Sequence, residues 1–252
     1  MELWQVITLI LVGTVAGFIN VIAAGGSMIT VPVMVFMGIP GPVANGTNRI
    51  AILAQNITAV ITFFRKGYSD FKLSLTLALC ALPGAVAGAF IGTRLEGAWF
   101  NRTLAVIMLA IMVITATRKE TQVNASDEVE ISRKRLVAGH LLMVVAGFYG
   151  GFIQIGVGFI LIPILSRVLG LDLVRTNMHK VFIIGSYTTV ALIVFISQVE
   201  ILWILGICLA IGNSIGAWLG AHMTIRKGEK TIKLILNIVL GLFIIKLLFF
   251  QG

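Results

Sequence analysis

The chain has 252 residues, 58% of them hydrophobic and 12% charged, with a mean hydropathy of +1.04. A water-soluble domain carries about 45–50% apolar and about 25% charged residues, so the composition excludes one. The net charge of +9 comes from 19 basic and 10 acidic residues, and the cations fall in short loops between apolar runs, as membrane topology requires, so nucleic acid is not an expected partner.

In chain order the apolar runs cover 3–38, 46–64, 73–92, 103–117, 136–169, 181–196, 201–221 and 232–250. Their lengths sit near the ~20 residues that a helix needs to cross a hydrocarbon core, and the alternating strands of an outer-membrane barrel are missing. The start has no basic stretch and no cleavage site, which reads as a membrane segment rather than a signal peptide. A polar linker at 118–135 holds Glu120, Asp127, Glu128 and Glu130 and separates an N-terminal unit, 1–117, from a C-terminal unit, 136–252.

The first and fifth runs are too long for a single crossing, because about 35 residues at ~1.5 Å each make a helix near 50 Å against a ~30 Å core. Each is expected to form a broken or re-entrant hairpin, followed by three transmembrane helices. The breaks fall at Ala23-Ala24-Gly25-Gly26-Ser27 and Gln154-Ile155-Gly156-Val157-Gly158, where glycine permits a helix to end and reverse.

The two units read as repeats. An offset of 131 aligns Gly25 with Gly156, Pro32 with Pro163, Asn48 with His179 and Arg49 with Lys180; an offset of 128 aligns Cys80 with Cys208, Gly84 with Gly212, Gly88 with Gly216 and Gly92 with Gly220. Parallel repeats would leave 9 basic residues on one side and 10 on the other, whereas inverted repeats place 15 inside and 4 outside. The positive-inside rule therefore selects an inverted pair, with both termini external and the linker and the 226–233 loop cytoplasmic.

The hairpin tips are the candidate site, since broken helices at a repeat interface offer unpaired N–H groups and a positive dipole end that suit an anion. The residues singled out are Asn20, Gly25, Gly26 and Ser27 in the first tip and Gln154, Gly156 and Gly158 in the second. Beside each tip follows a polar cluster: Thr47, Asn48 and Arg49 in the first unit, and Asn177, His179 and Lys180 in the second. Asn45 and Thr176 read as caps of the helices that follow. Arg49 and Lys180, placed at the N-terminal ends of those helices, read either as lipid-phosphate snorkels or as substrate contacts. His179 reads as a titrating neighbour of Lys180 or as a structural histidine. The Gly84-Gly88-Gly92 and Gly212-Gly216-Gly220 ridges are expected to allow close helix packing.

None of the ten acids lies in the middle of an apolar run, which argues against a cation pump. HExxH does not occur and no pair of aspartates lies inside an apolar run, so intramembrane catalysis is not expected. Cys80 and Cys208 lack metal-ligand spacing and read as buried thiols; no metal or other cofactor is expected.

The stretch from Gly17 to Asn48, GFINVIAAGGSMITVPVMVFMGIPGPVANGTN, echoed from Gly147 to Leu171 by GFYGGFIQIGVGFILIPILSRVLGL, resembles the sulfite exporter TauE/SafE family, also called the toluene-sulfonate uptake permease family. The similarity extends over essentially the whole chain. It implies a carrier, commonly an exporter, of small sulfur-containing anions such as sulfite or organosulfonates in the bacterial inner membrane. An anion channel, a permease for a different organic anion and a non-transporting membrane scaffold stay open as alternatives, as does a homo-oligomer.

Overall fold

The computed structural model describes residues 3–23, 25–117 and 131–225. The expectations for the linker core at 118–130, the 226–233 loop and the helix at 232–250 lie outside the described residues.

All regular structure among the described residues is helical. α1 (Leu3–Ala23) and α2 (Ser27–Phe36) form the first hairpin, followed by α3 (Gly41–Arg65), α4 (Phe71–Gly92) and α5 (Gly97–Thr117). α6 (Arg133–Phe152) and the short α7 (Gly158–Pro163) form the second, followed by α8 (Leu173–Gln198) and α9 (Trp203–Ile225). α4, α6, α8 and α9 are long and apolar enough to cross a membrane. Apolar side chains such as Leu141, Val145 and Ile204 are about two-thirds exposed, as a helix facing lipid requires.

Both hairpins fold back. In the second, the Arg135 guanidinium at the start of α6 donates to the Val168 and Arg167 carbonyls at 2.7 and 3.0 Å. The returning limb therefore ends beside the start of the hairpin. After Pro163 this limb passes into a π turn, Ile164–Val168. In the first hairpin, Leu9 of α1 and Met34 of α2 share one buried cluster.

The helices that carry the two polar clusters are among those that begin earlier than the apolar runs suggest. α3 starts at Gly41 with Pro42 in its first turn, a position where the missing N–H of proline costs nothing. α8 starts after Asp172, whose carboxylate accepts from the Val174 and Arg175 N–H groups. The polar clusters that read as preceding these helices are thus inside them. Arg49 and Lys180 are buried two turns in, on inward faces, rather than exposed at helix starts.

α3 and α8, which the 131 offset equates, pack antiparallel: Gly46 meets Phe195, while Asn56 meets Gly185. The glycine ridges fix two further pairs. A Cβ added at Gly84, Gly88 or Gly92 would come within 2.1, 2.0 and 2.2 Å of the Val144, Phe148 and Phe152 carbonyl oxygens, so α4 and α6 run parallel with touching backbones. Gly212, Gly216 and Gly220 of α9 face Ile10, Thr14 and Phe18 of α1 in the same order. Each ridge thus packs on the hairpin of the other unit. α6 returns the contact through Gly147 and Gly151, and α1 through Gly13 and Gly17. Cys80 and Cys208 belong to different core clusters and are both free thiols.

Candidate functional site

Where the two tips approach each other they meet the midpoints of α3 and α8 around a narrow polar cavity. Its atom-free space, open mouth included, is about 290 Å³. The lining contains Asn20 and Ser27 from the first tip, Gln154 and Gly158 from the second, Gln55 and Asn56 from α3, and Lys180 from α8.

The first tip is wired into α3 through amides. The Gly26 N–H donates to Asn20 Oδ1 at 2.8 Å, and Asn20 Nδ2 donates to Gln55 Oε1 at 3.1 Å. Asn213 of α9 donates to the same Gln55 oxygen at 3.3 Å. These bonds fix Gln55 with its oxygen held and its NH2 group left as the donor. Gly26 has no room for a side chain, because a Cβ would lie 1.9 Å from the Ala16 carbonyl oxygen; Gly25 has ordinary room, 3.6 Å from the Phe159 ring of the opposite hairpin.

The second tip turns through two residues of positive φ, Gln154 at 62° and Gly156 at 69°. Glycine adopts that region freely, but glutamine is held there at a cost. The Gln154 Nε2 donates to Thr188 Oγ1 at 2.8 Å, and the Tyr149 hydroxyl donates to the Ile155 carbonyl. These two bonds hold the strained turn.

Arg49 and Lys180 occupy corresponding places. The Lys180 ammonium donates to the Asn20 and Val21 carbonyls, at 3.1 and 2.8 Å, and to Asn177 Oδ1 at 2.8 Å. The Arg49 guanidinium donates to the Gly150 carbonyl at 3.1 Å and to that of Gly151, and it stacks 4.3 Å over the Phe195 ring. Each cation therefore reaches across to the other unit and caps the carbonyl end of the helix that breaks there. Buried cations without a carboxylate partner are costly, and the negative end of a helix dipole with orphaned carbonyls offsets that cost. Lipid-phosphate snorkelling is excluded for both by their burial.

Of the residues singled out in the sequence, Asn20, Ser27, Gln154, Gly158 and Lys180 come together at the cavity, with Gly25, Gly26 and Gly156 in the tips that shape it. Asn177 holds Lys180. The others face elsewhere: Asn48 accepts from Thr30 at 2.7 Å and ties α2 to α3, Thr47 accepts from the Leu202 N–H at 3.1 Å, and His179 Nδ1 is 2.7 Å from Ser74 Oγ on α4. Asn45 and Thr176 do not cap their own helices; Asn45 donates to the Phe152 carbonyl at 2.9 Å, beside Arg49, and Thr176 to that of Leu171. Gln55, Asn56 and Thr188 were not singled out. Amides inside apolar runs were the available signal, because an unpaired polar group in hydrocarbon is expensive.

The family model described as Sulfite exporter TauE/SafE matches residues 9–247. A probable membrane transporter protein of Sinorhizobium sp is 31% identical over 93% of this chain and 88% of its own length. One from Haemophilus influenzae is 29% identical over 96% of this chain and 93% of its own. The probable membrane transporter protein YfcA of Escherichia coli is 25% identical over 96% and 88%. No solved structure matches the chain. With its apolar helices and buried interhelical polar site, this is a multi-pass membrane transporter, not an enzyme, and the chain belongs to the sulfite exporter TauE/SafE family.

Proposed function

We propose that the protein is a secondary transporter that exports small sulfur-containing anions, such as sulfite or organosulfonates, by alternating access. The observation that carries this reading is the convergence of both hairpin tips and the middles of α3 and α8 on one cavity, whose lining among the described residues has Lys180 as its charge and no acid. The N-terminal end of α2 begins at Ser27 in the cavity wall, where the positive end of the helix dipole favours an anion.

The inverted arrangement is supported by the antiparallel packing of α3 on α8 and by the crossed glycine ridges. Arg49 and Lys180 are buried and leave the loop count, so 15 − 1 and 4 − 1 give a split of 14 to 3. That ratio favours external termini, and the membrane proposed is the bacterial inner membrane.

Coupling of binding to movement follows from Lys180. An ammonium has three N–H donors, and all three are engaged. An anion that takes the longest of them, to the Asn20 carbonyl, loosens α1 from α8 and so binds the two arrangements of the hairpin unequally, which a population shift requires. Uptake by proteoliposomes of labelled sulfite, sulfoacetate and sulfate tests the reading. Saturable sulfite flux supports it, and a non-saturating conductance or no flux overturns it.

A further inference from the structure

The cavity sets one positive charge beside a hydrogen-bond acceptor that has nothing to accept. Asn56 is fully buried, and its Nδ2 donates to the Ile52 carbonyl at 2.7 Å. A carbonyl oxygen only accepts, so the amide cannot be reversed and Oδ1 is fixed as the free end. That oxygen has no partner, although Asn56 lines the cavity. A buried acceptor left unpaired carries its full desolvation penalty, which a ligand bearing a donor relieves.

Charge points the same way. Among the described residues Lys180 is the one charged side chain in the lining, and its N–H groups are engaged by Asn20, Val21 and Asn177. A divalent anion would bring two charges to one ammonium and meet a repelling oxygen at Asn56.

We propose that the cavity selects a singly charged oxyanion that itself carries a hydrogen-bond donor, an S–OH or C–OH group, which Asn56 Oδ1 accepts. The inference rests on the anion-carrying reading of the same site and adds the charge state and the donor of the substrate.

Three small anions separate the two terms: hydroxymethanesulfonate, with one charge and one donor; methanesulfonate, with one charge and no donor; and sulfate, with two charges and no donor. Each is tested as an inhibitor of labelled sulfite uptake by proteoliposomes of the full chain, and as a ligand that raises the melting temperature of the purified protein. Hydroxymethanesulfonate is expected to act at about tenfold lower concentration than methanesulfonate, and sulfate at a further ~10-fold higher concentration or not at all. Asn56→Leu should erase the difference between the two sulfonates and keep the preference over sulfate. Should that variant not fold, the ranking on the wild type decides alone. Equal potency of the two sulfonates on the wild type overturns the role of Asn56, and sulfate as potent as methanesulfonate overturns the charge selection. If neither sulfite nor any of the three binds, the anion-carrying reading itself falls.

Discussion

The Lys180 ammonium lies 2.8 Å from the main-chain oxygen of Val21, 159 residues earlier in the chain. The bond ties the end of the first broken helix to the middle of the second unit, and Arg49 makes the reciprocal tie to Gly150 and Gly151. The two ties differ in one respect that matters for function: Lys180 lines the cavity, whereas Arg49 is stacked on Phe195 away from it.

Arg49→Gln should therefore act on stability before it acts on substrate. Removing the guanidinium leaves carbonyls of Gly150 and Gly151 unpaired, at a cost of about 1.5–3 kcal/mol for charge-assisted bonds. Thermal unfolding in detergent should show that loss, with Phe195→Leu losing the smaller ~0.5–2 kcal/mol of the stacked cation. Lys180→Gln, in contrast, should raise the substrate concentration needed for half-saturation roughly 10-fold or more. An Arg49 variant of wild-type stability would contradict the tie.

The glycines divide into those with and without room. Gly88→Ala and Gly216→Ala each place a Cβ 2.0 Å from a backbone oxygen of the neighbouring helix, and overpacking of this kind costs about 1–3 kcal/mol or more. Gly25→Ala, at 3.6 Å from Phe159, should fold normally. Yield and melting temperature of the three variants side by side check this; equal behaviour of all three would contradict the packing described.

Much of this was legible in the sequence, and the reasons are physical. Run length against bilayer thickness exposed the hairpins, and glycine at the breaks located their tips. The ridges announced close packing, but spacing on one helix cannot name its partner, and the exchange between units appears only in three dimensions. The depth of Arg49 and Lys180 was misread because a polar cluster after a break resembles a loop. Pro42 and Asp172, both ordinary helix-start signals, mark the true beginnings. Gln55 and Asn56 were passed over inside a run that is apolar on average, although a buried amide there is the costlier and more informative feature.

The proposed inverted arrangement predicts a topology. In a Cys80→Ala, Cys208→Ala background, single cysteines at Ser69 and Arg167 should be labelled from the cytoplasmic side, and those at Glu96 and Glu200 from the periplasmic side. Labelling of positions 69 and 167 from opposite sides would rule the arrangement out.

In the proposed carrier an anion occupies the cavity beside Lys180 and crosses by a change in which face is open. Trans-stimulated exchange of labelled sulfite in proteoliposomes tests it most directly. The expected result is saturable exchange, accelerated by unlabelled sulfite on the far side and reduced about tenfold or more at limiting substrate by Lys180→Gln. Flux that rises linearly with concentration, ignores the far side and is unchanged by Lys180→Gln would contradict it.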